Sequence, residues 1–222
     1  MALIEPEATR MSRDQDPSLL GHRVIPVAVI ADLDVVGPLA AALERGGLPI
    51  VEVTFRTDAA AQAIRLFAAE KGMLVGAGTV VRPEQVDAAV EAGARFVVTP
   101  GLSAGVVERC RQLDVPLIPG VATPTEVIAA LDEGLELLKF FPAEAAGGVD
   151  YLRALQGPFP LVRWIPTGGV TASNATSYLN LPSVAAVGGS WMVAPSMIAA
   201  RDFDSIARLA REAVTLGEGA VP

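Results

Sequence analysis

One lysine of this chain lies inside an apolar, aromatic run. Lys139 follows Leu137 and Leu138 and precedes Phe140 and Phe141. The chain has 15 arginines but only two lysines, so the basic residue in this run is of the rarer kind. Apolar surroundings disfavour the charged form of a lysine, and a neutral amine attacks ketones to form a Schiff base. The run therefore indicates a nucleophilic lysine. The structural alternative is a lysine whose stem covers apolar surface while its ammonium reaches water.

An earlier run, residues 50–56, carries an acid and a second base. Alternation along a strand places its polar side chains, Glu52, Thr54 and Arg56, on one face. We expect the apolar face, which includes Phe55, to pack on helices. The carboxylate and the guanidinium should then point into a lumen or its mouth.

Small residues follow several other apolar runs. Paired glycines occur in two of these segments, Thr167-Gly168-Gly169 and Gly188-Gly189-Ser190. Backbone amides and a serine hydroxyl can bind phosphate without a cationic side chain, although ordinary glycine turns would have the same composition. In Gly76-Ala77-Gly78-Thr79 the glycines permit either close approach of a ligand or a tight bend. Pro100 ends a further run and fixes a turn.

The elements that must position these residues alternate regularly. Eight short β-branched runs are separated by alanine-rich segments of helical periodicity. The predicted strands are 24–30, 50–54, 74–77, 96–99, 117–119, 137–140, 164–166 and 184–187. Pro83 and Pro124 suit first turns of helices, and Thr123 with Glu126 forms a capping-box pattern. Eight strand–helix units most simply close into a (β/α)8 TIM barrel, with an open doubly wound sheet as the alternative.

We predict a single α/β domain with short additions at both ends. The barrel should span residues 21–216, with its last helix over 202–216. Residues 1–20 should be an extension that can cover the bottom of the barrel, and Met11 is an alternative start. Residues 217–222 should be a frayed tail.

The barrel converts these positions into geometry. Active sites of such barrels lie at the carboxyl ends of the strands, and phosphate sites form after strands seven and eight. Strands two and six lie opposite each other, so Glu52 and Lys139 should face each other across the mouth. A buried ion pair contributes little net stability because desolvation offsets the attraction. The pairing therefore favours a functional role over a structural one.

Composition excludes several other classes of function. The net charge of −8 disfavours binding to nucleic acid or anionic membranes, and no apolar stretch is long enough to span a bilayer. One cysteine, Cys110, and one histidine, His22, exclude an internal disulfide and a histidine metal cluster. Asp32 and Asp34 fit a helix cap better than a metal pair. The first 20 residues lack the apolar core of a secretory signal, so we expect a cytoplasmic protein.

Taken together, five motifs resemble the class I 2-keto-3-deoxy-6-phosphogluconate aldolases, which often also act on 4-hydroxy-2-oxoglutarate. The resemblance extends from about residue 20 to about residue 215. The motifs are Glu52-Val53-Thr54-Phe55-Arg56-Thr57, Gly76-Ala77-Gly78-Thr79-Val80, Lys139-Phe140-Phe141-Pro142-Ala143-Glu144, Pro166-Thr167-Gly168-Gly169 and Gly188-Gly189-Ser190-Trp191. The lysine and glutamate motifs are specific in combination, whereas the glycine motifs are not specific separately.

The resemblance implies a role for each matched residue. Lys139 would form the Schiff base with pyruvate, Glu52 would shuttle protons, and Arg56 with Thr79 would hold the pyruvyl carboxylate. Pro100 and Phe141 would line the pocket of the phosphorylated keto acid. The phosphate would lie on the glycine segments, which supply Thr167, Gly168, Gly169, Gly188, Gly189 and Ser190. The family is usually trimeric and uses no metal or other cofactor.

Two departures from the family pattern are small. Phe55 replaces the usual leucine on the helix-facing side of strand two, which should change only packing. Ala146 stands where relatives often carry asparagine, and we assign it no catalytic consequence.

Three alternative functions remain at this point. The first is the sister aldolase for 2-keto-3-deoxy-6-phosphogalactonate, which has the same chemistry but lacks the Thr-x-Arg after the glutamate. The second is a phosphate-binding isomerase or synthase barrel without imine chemistry. The third is a catalytically silent barrel, against which the joint presence of Lys139, Glu52 and Arg56 argues.

Overall fold

Strands and helices alternate throughout residues 21–219, the part of the chain that the computed structural model describes. The strands are β1 (Val24–Ala28), β2 (Ile50–Thr54), β3 (Leu74–Gly78), β4 (Phe96–Val98), β5 (Leu117–Ile118), β6 (Gly120–Val121), β7 (Leu137–Phe140), β8 (Arg163–Pro166) and β9 (Val187–Gly189). The helices are α1 (Val36–Arg45), α2 (Ala60–Ala69), α3 (Pro83–Glu91), α4 (Ala104–Gln112), α5 (Pro124–Asp132), α6 (Gly148–Gln156), α7 (Ala175–Leu179), α8 (Pro195–Ala199) and α9 (Phe203–Glu218). Short 3-10 turns occupy Leu33–Val35 and Trp191–Val193.

The strands pair in parallel and close on themselves. One ladder has the order β5-β4-β3-β2-β1-β9 and the other β6-β7-β8. The fifth barrel strand is divided at Pro119 into β5 and β6, which joins the two ladders covalently. On the other side, single bridges pair Trp164 with Val184 and Thr167 with Gly188. The (β/α)8 barrel prediction is therefore confirmed, and the open doubly wound alternative is wrong.

Large side chains fill the space between the barrel wall and the helices. Trp164, Tyr178, Phe67 and Phe140 are among the largest fully buried ones. Phe55, which follows β2, is partly buried and packs against the hydrophobic core.

The predicted helix signals act as expected. Pro83 and Pro124 are the first residues of α3 and α5. The Thr123 side chain accepts a hydrogen bond from the Glu126 amide, and the Glu126 carboxylate accepts from the Thr123 amide. Asp32 caps the 3-10 turn before α1 by accepting from the Asp34 amide.

Several predicted boundaries differ from the structure: the first strand, for example, ends at Ala28 and not at residue 30, and two larger differences lie near the end of the chain. The last strand runs over Val187–Gly189 rather than 184–187, so Gly188 and Gly189 belong to the strand and not to the loop after it. Both glycines pair with β1, Gly188 opposite Ile25 and Gly189 opposite Pro26. The β-branched pattern ends at Val187, which made the strand seem to stop there.

The last helix is also longer than predicted, because it includes Gly217 and ends at Glu218. A Cβ at Gly217 would lie 2.7 Å from the Arg23 Cβ, so this glycine permits close packing and does not end the helix. The expectations for residues 1–20, including Met11, and for residues 220–222 lie outside the described residues. None of the helices between residues 21 and 219 is long and apolar enough to cross a bilayer.

Candidate active site

The centre of the site is an ion pair between two opposite strands. The Lys139 Nζ on β7 lies 3.4 Å from the Glu52 Oε1 on β2. Both residues are buried, with 5% and 3% of their surfaces exposed. Lys139 is flanked by Gly120 on β6 and Ile165 on β8, so the amine extends from the middle of a three-stranded ladder. The prediction that Glu52 and Lys139 face each other is confirmed.

Glycines in β3 make room for this pair. A Cβ at Gly78 would overlap the Glu52 carboxylate, and a Cβ at Gly76 would overlap the ring of Phe96. These two glycines therefore provide space for side chains inside the barrel. The sequence had suggested close approach of a ligand or a tight bend instead. The Glu52 carboxylate therefore occupies the space that the missing side chain of Gly78 leaves beside β3.

Phe141 connects the lysine to the glycine segment after β8. Its ring centroid lies 5.1 Å from the Lys139 Nζ, a distance suited to a cation–π contact. A Cβ at Gly168 would lie 3.2 Å from the same ring. The predicted pocket residue therefore contacts both the amine and the segment expected to bind phosphate.

Arg56, Thr79 and Pro100 follow β2, β3 and β4, at the same end of the barrel wall. Arg56 is exposed, whereas Thr79 and Pro100 are half-buried. Thr79 has a φ of +58°, a conformation that strains a β-branched residue and is typically found at functional sites. The Pro100 backbone lies directly against Gly120, the neighbour of Lys139.

The two paired-glycine segments lie beside each other. Thr167 is buried, its hydroxyl donates to the Ile165 carbonyl, and a Cβ at Gly188 would overlap this hydroxyl. Gly168 and Gly169 have φ values of +95° and +82°, which favour glycine.

In the second segment, Gly188-Gly189-Ser190, the last glycine lies against an aromatic ring. A Cβ at Gly189 would overlap the ring of Trp191, and Ser190 is the first, exposed residue after β9. The N–H groups of Gly169 and Val170 have no acceptor among residues 21–219. Free amides on one segment and an exposed serine on the adjacent segment suit an anion.

Comparisons with known proteins agree with this geometry. The family model for KDPG and KHG aldolase matches residues 16–209. The chain belongs to the KDPG and KHG aldolase family. It is 47% identical over 192 residues to the KHG/KDPG aldolase of Escherichia coli K12, an alignment that covers 86% of this chain and 90% of that protein.

Two solved structures of such aldolases resemble the chain throughout. The 2-keto-3-deoxy-6-phosphogluconate aldolase of Zymomonas mobilis ZM4 with 3-phosphoglycerate is 40% identical with a TM-score of 0.87, covering 95% of this chain and 100% of that one. The KDPG aldolase of Legionella pneumophila, with pyruvate captured as a covalent carbinolamine, is 41% identical with a TM-score of 0.87. The latter match covers 90% of this chain and 99% of that one.

Two polar residues beside the aldolase site were missed from the sequence. Glu144 ends the lysine motif, for which the resemblance implies no role at this residue, and no motif includes Tyr178. The Tyr178 hydroxyl donates to the Glu144 carboxylate. The two residues are 34 positions apart, and no periodic pattern in the sequence links them.

Proposed function

We propose that this chain is a class I aldolase that cleaves 2-keto-3-deoxy-6-phosphogluconate to pyruvate and glyceraldehyde 3-phosphate. The observation that carries the proposal is the buried pair of Lys139 and Glu52, 3.4 Å apart inside a closed barrel. Membership in the KDPG and KHG aldolase family supports the same reaction. So does the pyruvate adduct of the Legionella aldolase, which reports covalent chemistry on a similar fold.

In the first step, the pair supplies the amine that attacks. Transfer of the Lys139 proton to the Glu52 carboxylate leaves a neutral amine, and 3.4 Å between the heavy atoms is close enough for this transfer to need only a small movement. The amine adds to the ketone carbon at position 2 to give a carbinolamine. Loss of the hydroxyl as water, with a proton returned by Glu52, gives a protonated imine.

In the second step, the imine accepts the electrons of the bond that breaks. Glu52, again a carboxylate, removes the proton of the hydroxyl on carbon 4. The bond between carbons 3 and 4 then breaks, which releases glyceraldehyde 3-phosphate and leaves pyruvate as an enamine on Lys139. Glu52 returns the proton to carbon 3 through a water, and hydrolysis of the imine frees pyruvate.

The remaining site residues would bind the two ends of the substrate. Arg56 has an exposed guanidinium without a hydrogen-bond partner among the described residues, which leaves it available for the pyruvyl carboxylate. Thr79 would offer its hydroxyl to the same carboxylate, while Pro100 and Phe141 line the pocket. The phosphate would lie on Gly168, Gly169, Gly189 and Ser190, with Thr167 and Gly188 forming the floor beneath it.

A second activity deserves the same assay. Cleavage of 4-hydroxy-2-oxoglutarate to pyruvate and glyoxylate needs the lysine, the glutamate and the carboxylate site but no phosphate site. The KHG/KDPG aldolase of Escherichia coli, which is 47% identical, carries both substrates in its name. The phosphogalactonate epimer is the alternative substrate, and the Thr54-x-Arg56 sequence after Glu52 favours the gluconate form.

We also propose that the chain forms a homotrimer and acts in the cytoplasm. The support for both statements is the resemblance to the aldolase family. Light scattering coupled to size-exclusion chromatography tests the trimer directly, because a monomer has a mass of 23.0 kDa.

The decisive experiment is to incubate the protein with pyruvate, reduce it with borohydride and locate the added mass by peptide mass spectrometry. We expect a reduced pyruvyl adduct on Lys139. The internal control is Lys71, the other lysine of the chain, which is exposed. No adduct, or an adduct on Lys71 alone, would overturn the proposal and leave a barrel isomerase or synthase as the better hypothesis.

A further inference from the structure

We infer that the Tyr178–Glu144 hydrogen bond is a positioning device that holds the Gly168-Gly169 segment in shape for the phosphate group of the substrate. The inference rests on the proposed function and deepens it, because it assigns two residues that neither touch the lysine nor belong to the glycine motifs.

Glu144 lies along the glycine segment. Its N–H donates to the Gly168 carbonyl at 3.0 Å, and the preceding residue, Ala143, donates to the Thr167 carbonyl at 2.8 Å. A Cβ at Gly169 would lie 2.6 Å from both the Cβ and the Cγ of Glu144. The loop after the lysine strand therefore packs directly on the loop after β8, and Glu144 is the residue in contact with both glycines.

A second set of contacts comes from α7. The Asn174 amide group donates to the Gly169 carbonyl at 3.1 Å and accepts from the Thr171 amide at 2.8 Å. Tyr178 lies four residues after Asn174, on the same side of one helical turn. Hydrogen bonds from Asn174, the residue before α7, and from Tyr178 on α7 thus reach the glycine segment directly and through Glu144. Both glycine carbonyls are thereby engaged, while the N–H groups of Gly169 and Val170, which have no acceptor among residues 21–219, stay available for an anion.

The tyrosine hydroxyl is suited to be a permanent donor. The Tyr178 side chain is fully buried. Burial, and then the hydrogen bond to Glu144, raise the pKa of this phenol well above its usual value. The hydroxyl therefore keeps its proton throughout the range in which the enzyme would work. A buried hydroxyl needs its partner, so the Glu144 carboxylate has one favoured position.

The alternative is that the hydrogen bond only stabilises the fold. Substrates with and without phosphate separate the two. A phosphate-positioning role predicts a change only for the phosphorylated substrate, whereas a purely structural role predicts equal changes for both.

The test compares Tyr178→Phe with Tyr151→Phe. The matched control, Tyr151, stacks on Phe140 with ring centroids 6.0 Å apart, and its hydroxyl makes no hydrogen bond within residues 21–219. The measurements are KM and kcat for 2-keto-3-deoxy-6-phosphogluconate and for the same sugar acid without phosphate. Inhibition by inorganic phosphate and exchange of pyruvate methyl protons in deuterated water complete the set.

For Tyr178→Phe we expect KM for the phosphorylated substrate to rise about tenfold, the size of one lost hydrogen bond. Phosphate inhibition should weaken by a similar factor. The constants for the unphosphorylated substrate and pyruvate exchange should change less than twofold. Tyr151→Phe should match the wild type in all four measurements.

Glu144 offers an independent pair of variants. Glu144→Gln keeps an oxygen that can accept from Tyr178 and should retain the wild-type KM for the phosphorylated substrate, whereas Glu144→Ala should reproduce the Tyr178→Phe effect. An unchanged KM in Tyr178→Phe, or equal losses on both substrates, would overturn the inference. Failure of the proposed function is distinguishable, because the wild type would then form no pyruvate adduct and exchange no pyruvate protons.

Discussion

The amine of Lys139 and the carboxylate of Glu52 meet inside the barrel although 87 positions separate them in the chain. Each side chain is almost completely buried. Replacing such a pair with apolar residues often leaves the stability of a fold unchanged, because the cost of removing two charges from water offsets most of their attraction. A catalytic role therefore explains the pair better than a contribution to stability does. Replacing each of the two residues in turn tests this role.

Removing the amine should abolish the reaction. We expect Lys139→Ala to lower kcat by more than about 10⁴-fold, because covalent catalysis is lost entirely. The pyruvyl adduct should disappear as well. Lys71→Ala is the control, since it removes the other lysine of the chain from an exposed turn and should keep wild-type rates. Normal cleavage by Lys139→Ala would contradict the imine mechanism.

Removing the acid should separate proton transfer from imine formation. In Glu52→Gln the amide cannot take the proton of the carbon 4 hydroxyl, so we expect kcat to fall by about 10²- to 10⁴-fold. Slow trapping of pyruvate on Lys139 by borohydride should remain measurable. A variant that loses trapping completely while its circular dichroism stays normal would show that water cannot replace Glu52 in the proton transfers of imine formation.

The space for the Glu52 carboxylate depends on one glycine. In Gly78→Ala the new methyl group would overlap the carboxylate, so the carboxylate must move. A displacement of about 1 Å can lower kcat/KM about 10²-fold, and overpacking costs about 1–3 kcal/mol of stability. Gly101→Ala is the matched control because nothing lies within 4 Å of a Cβ there. Assays of kcat/KM and urea unfolding should show losses only in the first variant.

The sequence predicts the parts of this site that follow from local alternation and from the eightfold repeat, but not those that depend on contacts between distant segments. Alternation places Glu52 on the inner face of β2, and the eightfold repeat places β2 opposite the strand of Lys139, so their meeting is predictable. Gly188 and Gly189 were assigned to a loop because glycine breaks the β-branched pattern, whereas their pairing with β1 is a tertiary effect. Local patterns do not show which distant residue will pair with such a strand end.

Contacts between loops are even harder to predict from the sequence than strand pairing is. Glu144 and Tyr178 belong to different loop and helix segments, and their hydrogen bond requires the folded positions of both. Thr79 is similar, since its positive φ follows from the surrounding structure and not from its own preference. The sequence shows that Gly76 and Gly78 leave space, but the side chains that fill this space, Phe96 and Glu52, come from neighbouring strands.

The single cysteine should be unreactive in the folded protein. Cys110 is completely buried on α4, and burial raises the pKa of its thiol to about 12. The thiolate that reacts with a disulfide reagent is therefore scarce at pH 8. We expect no labelling by Ellman's reagent until a denaturant is added, and then one equivalent per chain. Rapid labelling of the native protein would contradict the packing of α4 on the barrel.

The capping box of α5 should make a small, pH-dependent contribution to stability. The Glu126 carboxylate accepts from the Ala122 amide at 2.7 Å and from the Thr123 amide at 2.9 Å. These hydrogen bonds, that from Ala122 first, lower the pKa of Glu126 below its usual value. A lowered folded-state pKa gives stability that is present above the unfolded value and is lost as the pH falls through the folded one.

The matched variant for this box is Glu126→Gln, whose amide oxygen can accept the same hydrogen bonds without titrating. At pH 7 we expect the wild type to be more stable by at most about 0.5 kcal/mol, because water screens an exposed carboxylate. The difference should vanish as the pH falls below the lowered pKa of Glu126, where the carboxyl is protonated in both states. Urea unfolding of both proteins between pH 7 and pH 3 measures it. A difference that grows in acid would show that the charge of Glu126 does not stabilise the helix start.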